Sequence, residues 1–351
     1  MVSKNNITII AEIGKNFVDT QKEQPISVLL EKAKELIREA KKAGADTAKF
    51  QVHCVEDEIH PETKLISPHF SEDRYEWVKR NTYPIGFWHA VKSYCDEIGV
   101  EFLATPMSRA AAYLVEDFVD RWKIGSGDIC DFVLLDYIRQ FGKPVILSSG
   151  MSSLEELKLA YNFLKEKVED ITIMHCVSVY PCPMDKLNLN TIPFLKKEFP
   201  KAKIGFSDHS LSTNTGALAV YMGAEVIEKH FTLDRDAFGP DHKVSLLPDE
   251  FSKMVKKIKS AKSKEDFKPL LESTKEVLGT ETKYIQEDEE KFRKVFRKGL
   301  FASQDVKKGE VWMDGMICAL RPKGEALQSE LYSALLNTIA VKDYKQHEAI
   351  K

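Results

Sequence analysis

Two lysines, Lys49 and Lys123, and four hydroxyls, Thr105, Ser126, Ser148 and Ser207, are the side chains of this sequence best suited to hold a small, doubly anionic molecule. Ammonium groups supply charge for a phosphate and a carboxylate, and hydroxyls add hydrogen bonds without further charge. His209 and His230 fall on what read as consecutive strands, so both imidazoles can reach one point and hold a divalent metal. Two protein ligands leave positions open for water or substrate oxygens, which suits Lewis-acid chemistry better than a closed structural site. The histidines form no H-x-H or H-E-x-x-H, so the fold must bring them together. In "VIEKHFTLD" (226–234), strand alternation puts Glu228 and His230 on one face and turns Lys229 outward to the helices.

The elements that must position these groups are short β-branched runs, each followed by a turn and a helical segment. The strands expected are 7–12, 47–52, 100–105, 121–126, 144–149, 171–176, 202–207 and 224–229. The clearest helices are 26–43, ending at Gly44; 152–167, with Ser152 and Glu155 as a capping box; and 213–222, ending at Gly223. This is the pattern and size of a (β/α)8 TIM barrel of the α/β class. A doubly wound open sheet usually carries a glycine-rich first turn, and "AEIGKNF" has no G-x-G-x-x-G. In a barrel the strand C-terminal ends form the working face. Those ends supply Glu12, Lys49, Gln51, Thr105, Lys123, Ser126, Asp128, Ser148, His175, Ser178, Tyr180, Ser207, Asp208, His209, Glu228 and His230. The charged, aromatic segment 53–83 is long for a connection and has the character of a lid or substrate loop. After residue 260 the pattern changes. The organisation expected is a barrel over 1–261, a linker over 262–290 and a small β-rich domain over 291–351.

The 351 residues are 43% hydrophobic and 30% charged with a net charge of -3, so no basic surface points to nucleic acid. No apolar run is long enough for a membrane span, and "MVSKNNITIIAEIG" lacks the features of a secretory signal. A cytoplasmic location is expected. Six cysteines without C-x-x-C spacing read as reduced thiols.

The motifs "AEIG" (11–14), "KFQ" (49–51), "ATPMSRAAA" (104–112), "KIGSGD" (123–128), "GKPVILSSGM" (142–151), "HCVSVYPCP" (175–183), "GFSDHS" (205–210), "EKHFTLD" (228–234) and "GPDH" (239–242) resemble the N-acetylneuraminate (sialic acid) synthase family. "VKKGE" (306–310) and "RP" (321–322) resemble its antifreeze-like (SAF) C-terminal domain. The resemblance implies condensation of phosphoenolpyruvate with an N-acylated hexosamine, such as N-acetylmannosamine, giving a nonulosonate and phosphate. It implies a divalent metal, manganese first and magnesium or cobalt as alternatives. It also implies a homodimer in which each antifreeze-like domain covers the partner's barrel. By the same resemblance His209 and His230 hold the metal, and Lys49, Thr105, Lys123, Ser126, Ser148 and Ser207 hold phosphoenolpyruvate. Gln51, Tyr180, Asp241 and, from the partner, Arg321 hold the sugar. Glu12 is the acid/base residue, with Asp128 assisting near the metal or phosphate, and Glu228 orients His230 or a bound water.

The family's usual Asn-His and following Gly after "EIG" are here Asn16, Phe17 and, further on, Val18 and Asp19, with Lys15 before them; Ser178 stands where Asn or Thr is frequent. These departures are expected to touch the sugar side and so the choice of acceptor. The rivals are the same reaction on a legionaminic- or pseudaminic-type or shorter aldehyde, a Schiff-base aldolase using Lys123 or Lys49, and a non-catalytic sugar-binding protein.

Overall fold

The structure, a computed structural model, describes residues 7–67, 70–260 and 264–351. Residues 1–6 of the N-terminal stretch, 68–69 of the long connection and 261–263 at the expected barrel boundary lie outside the described residues. In order, the elements are β1 (Thr8–Gly14), α1 (Ile26–Ala43), β2 (Thr47–Val52), β3 (Ile66–Ser67), β4 (Phe70–Asp73), α2 (Arg74–Arg80), α3 (Ile85–Ile98), β5 (Glu101–Pro106), α4 (Arg109–Tyr113), β6 (Trp122–Ile124), α5 (Phe132–Arg139), β7 (Val145–Ser148), α6 (Leu154–Lys165), β8 (Ile171–Cys176), α7 (Thr191–Glu198), β9 (Lys203–Asp208), α8 (Thr215–Tyr221) and β10 (Val226–His230). Then follow α9 (Pro248–Ser260), α10 (Lys268–Ser273), α11 (Glu287–Phe296), β11 (Gly299–Ala302), β12 (Ile317–Leu320) and α12 (Tyr332–Leu335).

Eight parallel strands close into a barrel in the order β1-β10-β9-β8-β7-β6-β5-β2, as the alternation of strand and helix requires. The barrel interior is built in layers, because every second side chain points inward. Ile10, Leu103, Ile146, Met174 and Val226 form an apolar plug. One step further along the same strands the inward positions are Glu12, Thr105, Ser148, Cys176 and Glu228, so a buried polar layer sits directly on an apolar one. The plug depends on a glycine: a Cβ on Gly205 would lie 2.3 Å from Met174 Sδ and 2.7 Å from the Val226 carbonyl. Outside the barrel, α1 buries Leu29, Ala33, Leu36, Ile37 and Ala40 and ends where Gly44, at φ +100°, turns its N–H back to Ala40 and Lys41.

The capping box of α6 is shifted by one residue from the expected one: Ser153 Oγ accepts from Glu156 N at 3.2 Å, and Glu156 Oε2 accepts from Ser153 N at 2.8 Å. Ser152 instead donates to the Gly150 carbonyl at 3.0 Å. After α9 the chain returns to the barrel mouth. Glu289 of α11 accepts from the backbone of Met151 at 2.8 Å and of Ser178 at 2.9 Å. The antiparallel pair β11–β12 packs beside it, and Arg321 exchanges backbone hydrogen bonds of 3.0 Å with Glu58 and His60. Thus the C-terminal segment closes over the mouth of its own barrel.

Candidate active site

The strand C-terminal ends open into a cavity at the barrel mouth, the usual place for a small-molecule site in this fold. Glu12, Lys49, Gln51, Thr105, Lys123, Ser126, Asp128, Ser148, Tyr180, Ser207, His209, His230 and Asp241 all line it. Of the residues given a role by the resemblance, Arg321 alone does not; of the other strand-end residues, His175, Ser178 and Asp208 also lie outside it, His175 with Nε2 2.7 Å from the Leu187 carbonyl.

The floor is a four-charge cluster. Lys49 Nζ lies 2.8 Å from Glu12 Oε2 and 3.4 Å from Glu228 Oε1, and donates to Thr105 Oγ1 at 3.2 Å. Lys123 Nζ donates to Glu228 Oε2 at 2.6 Å, and Ser207 donates to Glu228 Oε1 at 3.0 Å. Burial works against the charges of Lys49, Lys123 and Glu228 alike. For Lys49 the carboxylates of Glu12 and Glu228 more than offset burial and raise its pKa, while for Lys123 burial prevails and lowers it. Burial would raise the Glu228 carboxyl, but Lys123 and Lys49 hold it well below the usual range. Glu228 is therefore the counter-ion of the two lysines, and not the partner of His230 that its shared face implied. It stands one strand step below His230, where the lysines reach it first.

Lys229 turns outward as expected but reaches no solvent: at 0% exposure it pairs with Asp208 of β9 at 2.7 Å. Asp208 Oδ1 also accepts from Ser210 N at 2.8 Å, and Thr215 donates to its other oxygen. This pair ties together the strand ends that carry His209 and His230.

The two imidazole rings lie 5.3 Å apart. His209 Nδ1 is 2.8 Å from the Val177 carbonyl, which can only accept, so Nδ1 carries a hydrogen and, in the neutral ring, Nε2 has its lone pair for a metal; burial lowers the pKa of this ring, but Cys176 more than offsets it and raises it. His230 Nδ1 is buried with no hydrogen-bond partner, and burial lowers its pKa toward the neutral form a metal ligand needs. One ring oriented by a carbonyl and one orphaned nitrogen fit a divalent metal. The carboxylates Glu156 and Glu330 also approach Cys130 closely enough for a shared ion, but Glu156 is committed to Arg293 at 2.8 and 2.9 Å and to the α6 cap.

Beside Glu12, Gln51 Nε2 donates to Glu12 Oε1 at 2.9 Å and lies 3.5 Å from Asp241 Oδ2. Gly14, at φ +56°, bends the chain around them; a Cβ there would sit 3.0 Å from Glu12 Oε1. Within the chain the Arg321 guanidinium is buried on Asp128 Oδ1 at 2.6 Å and Glu58 Oε1 at 3.8 Å. Asp128, which also meets Lys298 at 3.1 Å, thereby anchors the C-terminal segment at the edge of the cavity.

The departures from the family pattern fall elsewhere than expected. Phe17 is in the core, its ring 5.5 Å from Tyr83 and 5.6 Å from Phe87, and Ser178 is fully buried beside Glu289. Neither lines the cavity. The walls instead include Lys15, Phe70, Glu72, Arg74, Trp77, Cys176, Phe292 and Phe296, none of which strand-end alternation singled out as chemical. Four of these lie in the lid-like segment 53–83, and Cys176 ends β8, the strand expected over 171–176. Cys176 Sγ lies 3.9 Å from His209 Nδ1; burial would raise the thiol, but His209 brings it down to about 7.

A closed (β/α)8 barrel with buried paired lysines and convergent histidines at its C-terminal mouth defines the class. The chain belongs to the NeuB family, whose model matches residues 36–267, in keeping with the resemblance read from the motifs. It is 32% identical to the N,N'-diacetyllegionaminic acid synthase of Campylobacter jejuni over 98% of both chains. It is 34% identical to the N-acetylneuraminate-9-phosphate synthase of Mus musculus over 73% of this chain and 70% of that one. The crystal structure of the Bacillus subtilis spore coat polysaccharide biosynthesis protein SpsE matches with a TM-score of 0.80 at 29% identity, covering 100% of this chain and 97% of that one. Among the described residues no helix is long and apolar enough to cross a membrane.

Proposed function

We propose that this chain is a synthase that joins phosphoenolpyruvate to an N-acylated aldehyde sugar, releasing phosphate and leaving a nonulosonate. The observation that carries this is the buried Lys49–Lys123 pair, set among hydroxyls, beneath two histidines each with a nitrogen free for a metal. The sequences of relatives named as nonulosonate synthases support it.

In this reading Lys49 and Lys123 bind the phosphate and carboxylate of phosphoenolpyruvate, helped by Thr105, Ser126, Ser148 and Ser207. Ser126 and Ser148, 3.0 Å apart, can both turn to one oxyanion. His209 and His230 hold the divalent ion, manganese by preference, which supplies polarisation of the sugar aldehyde. Gln51, Tyr180 and Asp241 orient the sugar so that its aldehyde carbon faces C3 of phosphoenolpyruvate. A carbon–carbon bond forms there, and the aldehyde oxygen takes a proton to become a hydroxyl. Water then adds at C2 and gives up a proton, and phosphate leaves with the C2–O electron pair, taking up the proton that the C2 hydroxyl loses as the ketone forms. Glu12, the carboxylate that touches both Lys49 and Gln51, is placed to hold the moving proton. The protein works in the cytoplasm, where phosphoenolpyruvate is made. The antifreeze-like domain, over 291–351, closes the mouth, and the protein forms a homodimer. Exposed Met313, Ile339 and Val341 on that segment give the dimer an apolar contact.

Phosphate release from phosphoenolpyruvate is measured with chelator-treated protein, a panel of N-acylated aldehyde sugars, and manganese present or absent. Metal-dependent release with a sugar, lost in His230→Ala, is the expected result. A folded, metal-loaded protein that releases no phosphate with any aldehyde contradicts the reading.

A further inference from the structure

The wall above β1 and β2 carries a second set of cations that the binding of phosphoenolpyruvate does not use. Lys15 follows β1 and Arg74 opens α2 in the insertion after β2; both line the cavity, at 5% and 8% exposure. They come from neighbouring strands of the barrel, on the opposite side of β1 from the histidine-bearing β9 and β10.

Lys15 is held by a relay. Its Nζ lies 3.1 Å from His53 Nε2, and His53 Nδ1 lies 2.5 Å from Glu58 Oε2. Burial brings His53 down to about 4, so the ring is neutral: Nδ1–H donates to Glu58 and Nε2 accepts from the ammonium. The relay fixes Lys15 in place but gives it no negative charge. Glu58 itself is shared with Arg74 at 3.5 Å and Arg321 at 3.8 Å. The direct ion pairs of this wall set Glu58, Asp128 and Asp131 against Arg74, Arg321 and Lys298. Lys15 adds a fourth cation. Asp241 and Glu58 attract it, yet burial and the charge of Arg74 hold it down to about 8, low for a lysine though still protonated at neutral pH. Arg74 adds a buried Nε with no hydrogen-bond partner, its guanidinium 4.6 Å over the Phe296 ring. Desolvated donors of this kind are costly until an anion meets them.

Resting on the synthase reading above, we propose that Lys15 and Arg74 bind an anionic group of the acceptor sugar, a phosphoryl or a carboxylate carried at the end away from its aldehyde. The aldehyde must lie by His209 and His230 to react, so the remainder of the sugar extends beneath the insertion. The floor lysines already serve phosphoenolpyruvate. Trp77, whose ring is 5.7 Å from Lys15 Nζ, offers an apolar face beside the charge.

Three sugars differing at one carbon test this: N-acetylmannosamine, its 6-phosphate, and the uronic acid with a carboxylate at that carbon. Their binding to the full-length, manganese-loaded protein is measured by calorimetry, and their turnover by phosphate release from phosphoenolpyruvate. At least one anionic sugar binds about 10- to 100-fold more tightly than the neutral one. That preference is lost in Lys15→Met and partly kept in Lys15→Arg, and which anion gains identifies the group read. Equal or tighter binding of the neutral sugar by the unaltered protein overturns the proposal, as does no binding of any of the three. A preference unchanged in both Lys15→Met and Arg74→Gln also overturns it. If the preference holds but no sugar is turned over, the synthase reading fails and the anion site stands. Turnover of the neutral sugar alone does the reverse. The comparison on the unaltered protein needs no variant to fold.

Discussion

Glu228 accepts from Lys123 at 2.6 Å and lies 3.4 Å from Lys49, so the carboxylate that allows two ammonium groups to stay buried also occupies the faces a phosphate would use. Stability and binding therefore pull against each other at this residue. Glu228→Gln keeps the shape and Ser207's hydrogen bond but leaves Lys123 without its main counter-ion, which should cost about 3–5 kcal/mol of stability, read as a lower urea midpoint. The same substitution removes a competitor, so phosphoenolpyruvate should bind about tenfold more tightly by calorimetry. A stability loss with weaker binding would mean that Glu228 shapes the cradle rather than competing for it. Lys15 gives a pH dependence at the same scale. Its folded pKa is lowered to about 8, so the ammonium is present below that pH and disappears as pH rises through it. The preference for an anionic acceptor, measured as a ratio of kcat/KM values, should hold at pH 7 and collapse above about pH 8, with Lys15→Arg flat across the range.

The strand ends show how far alternation alone can be read. β2 and α1 fall where the sequence places them, because Gly44 marks the helix end and the inward Lys49 and Gln51 mark the strand. The floor residues were legible for the same reason, since period two and a parallel barrel leave little choice of face. The Ser152–Glu155 cap was misplaced because two adjacent serines precede two adjacent glutamates, and only packing selects Ser153 with Glu156. Lys15, Arg74, Phe292 and Phe296 were not legible as site residues: they sit on a loop, an insertion and a helix far along the chain, brought together only by tertiary contacts. At Lys229 strand alternation sets the direction of the side chain but not its burial. Its pair with Asp208, both at 0% exposure, joins β9 to β10 immediately beside the two histidines. Lys229→Met strands a buried carboxylate and should cost about 3–5 kcal/mol in urea unfolding. The double change Asp208→Asn with Lys229→Met should cost clearly less than the sum of the single ones. Manganese affinity, measured by calorimetry on the folded single variant, should fall with the loosened strand ends. An unchanged affinity would show that the histidines do not depend on this clamp.

Across the whole molecule, the contact that closes the barrel is made within one chain: Arg321 meets Asp128 at 2.6 Å and Glu58 at 3.8 Å, and Glu289 of α11 holds the backbone of Met151 and Ser178. A homodimer that exchanged its C-terminal segments would make the same contacts between chains, so chemistry at one site cannot separate the two arrangements. Complementation can. Arg321→Ala damages the cover and Lys49→Met damages the floor, and each variant alone should be nearly inactive. Mixed by unfolding and refolding together, exchanged dimers would place an intact floor under an intact cover in about a quarter of the sites. Sites closed by their own chain would each keep one defect. If each chain covers its own barrel, phosphate release does not rise above that of the separate variants. Recovery toward a quarter would show that the cover is traded between partners, and the anchors Asp128 and Glu58 would then be receptors for the neighbouring subunit's arginine.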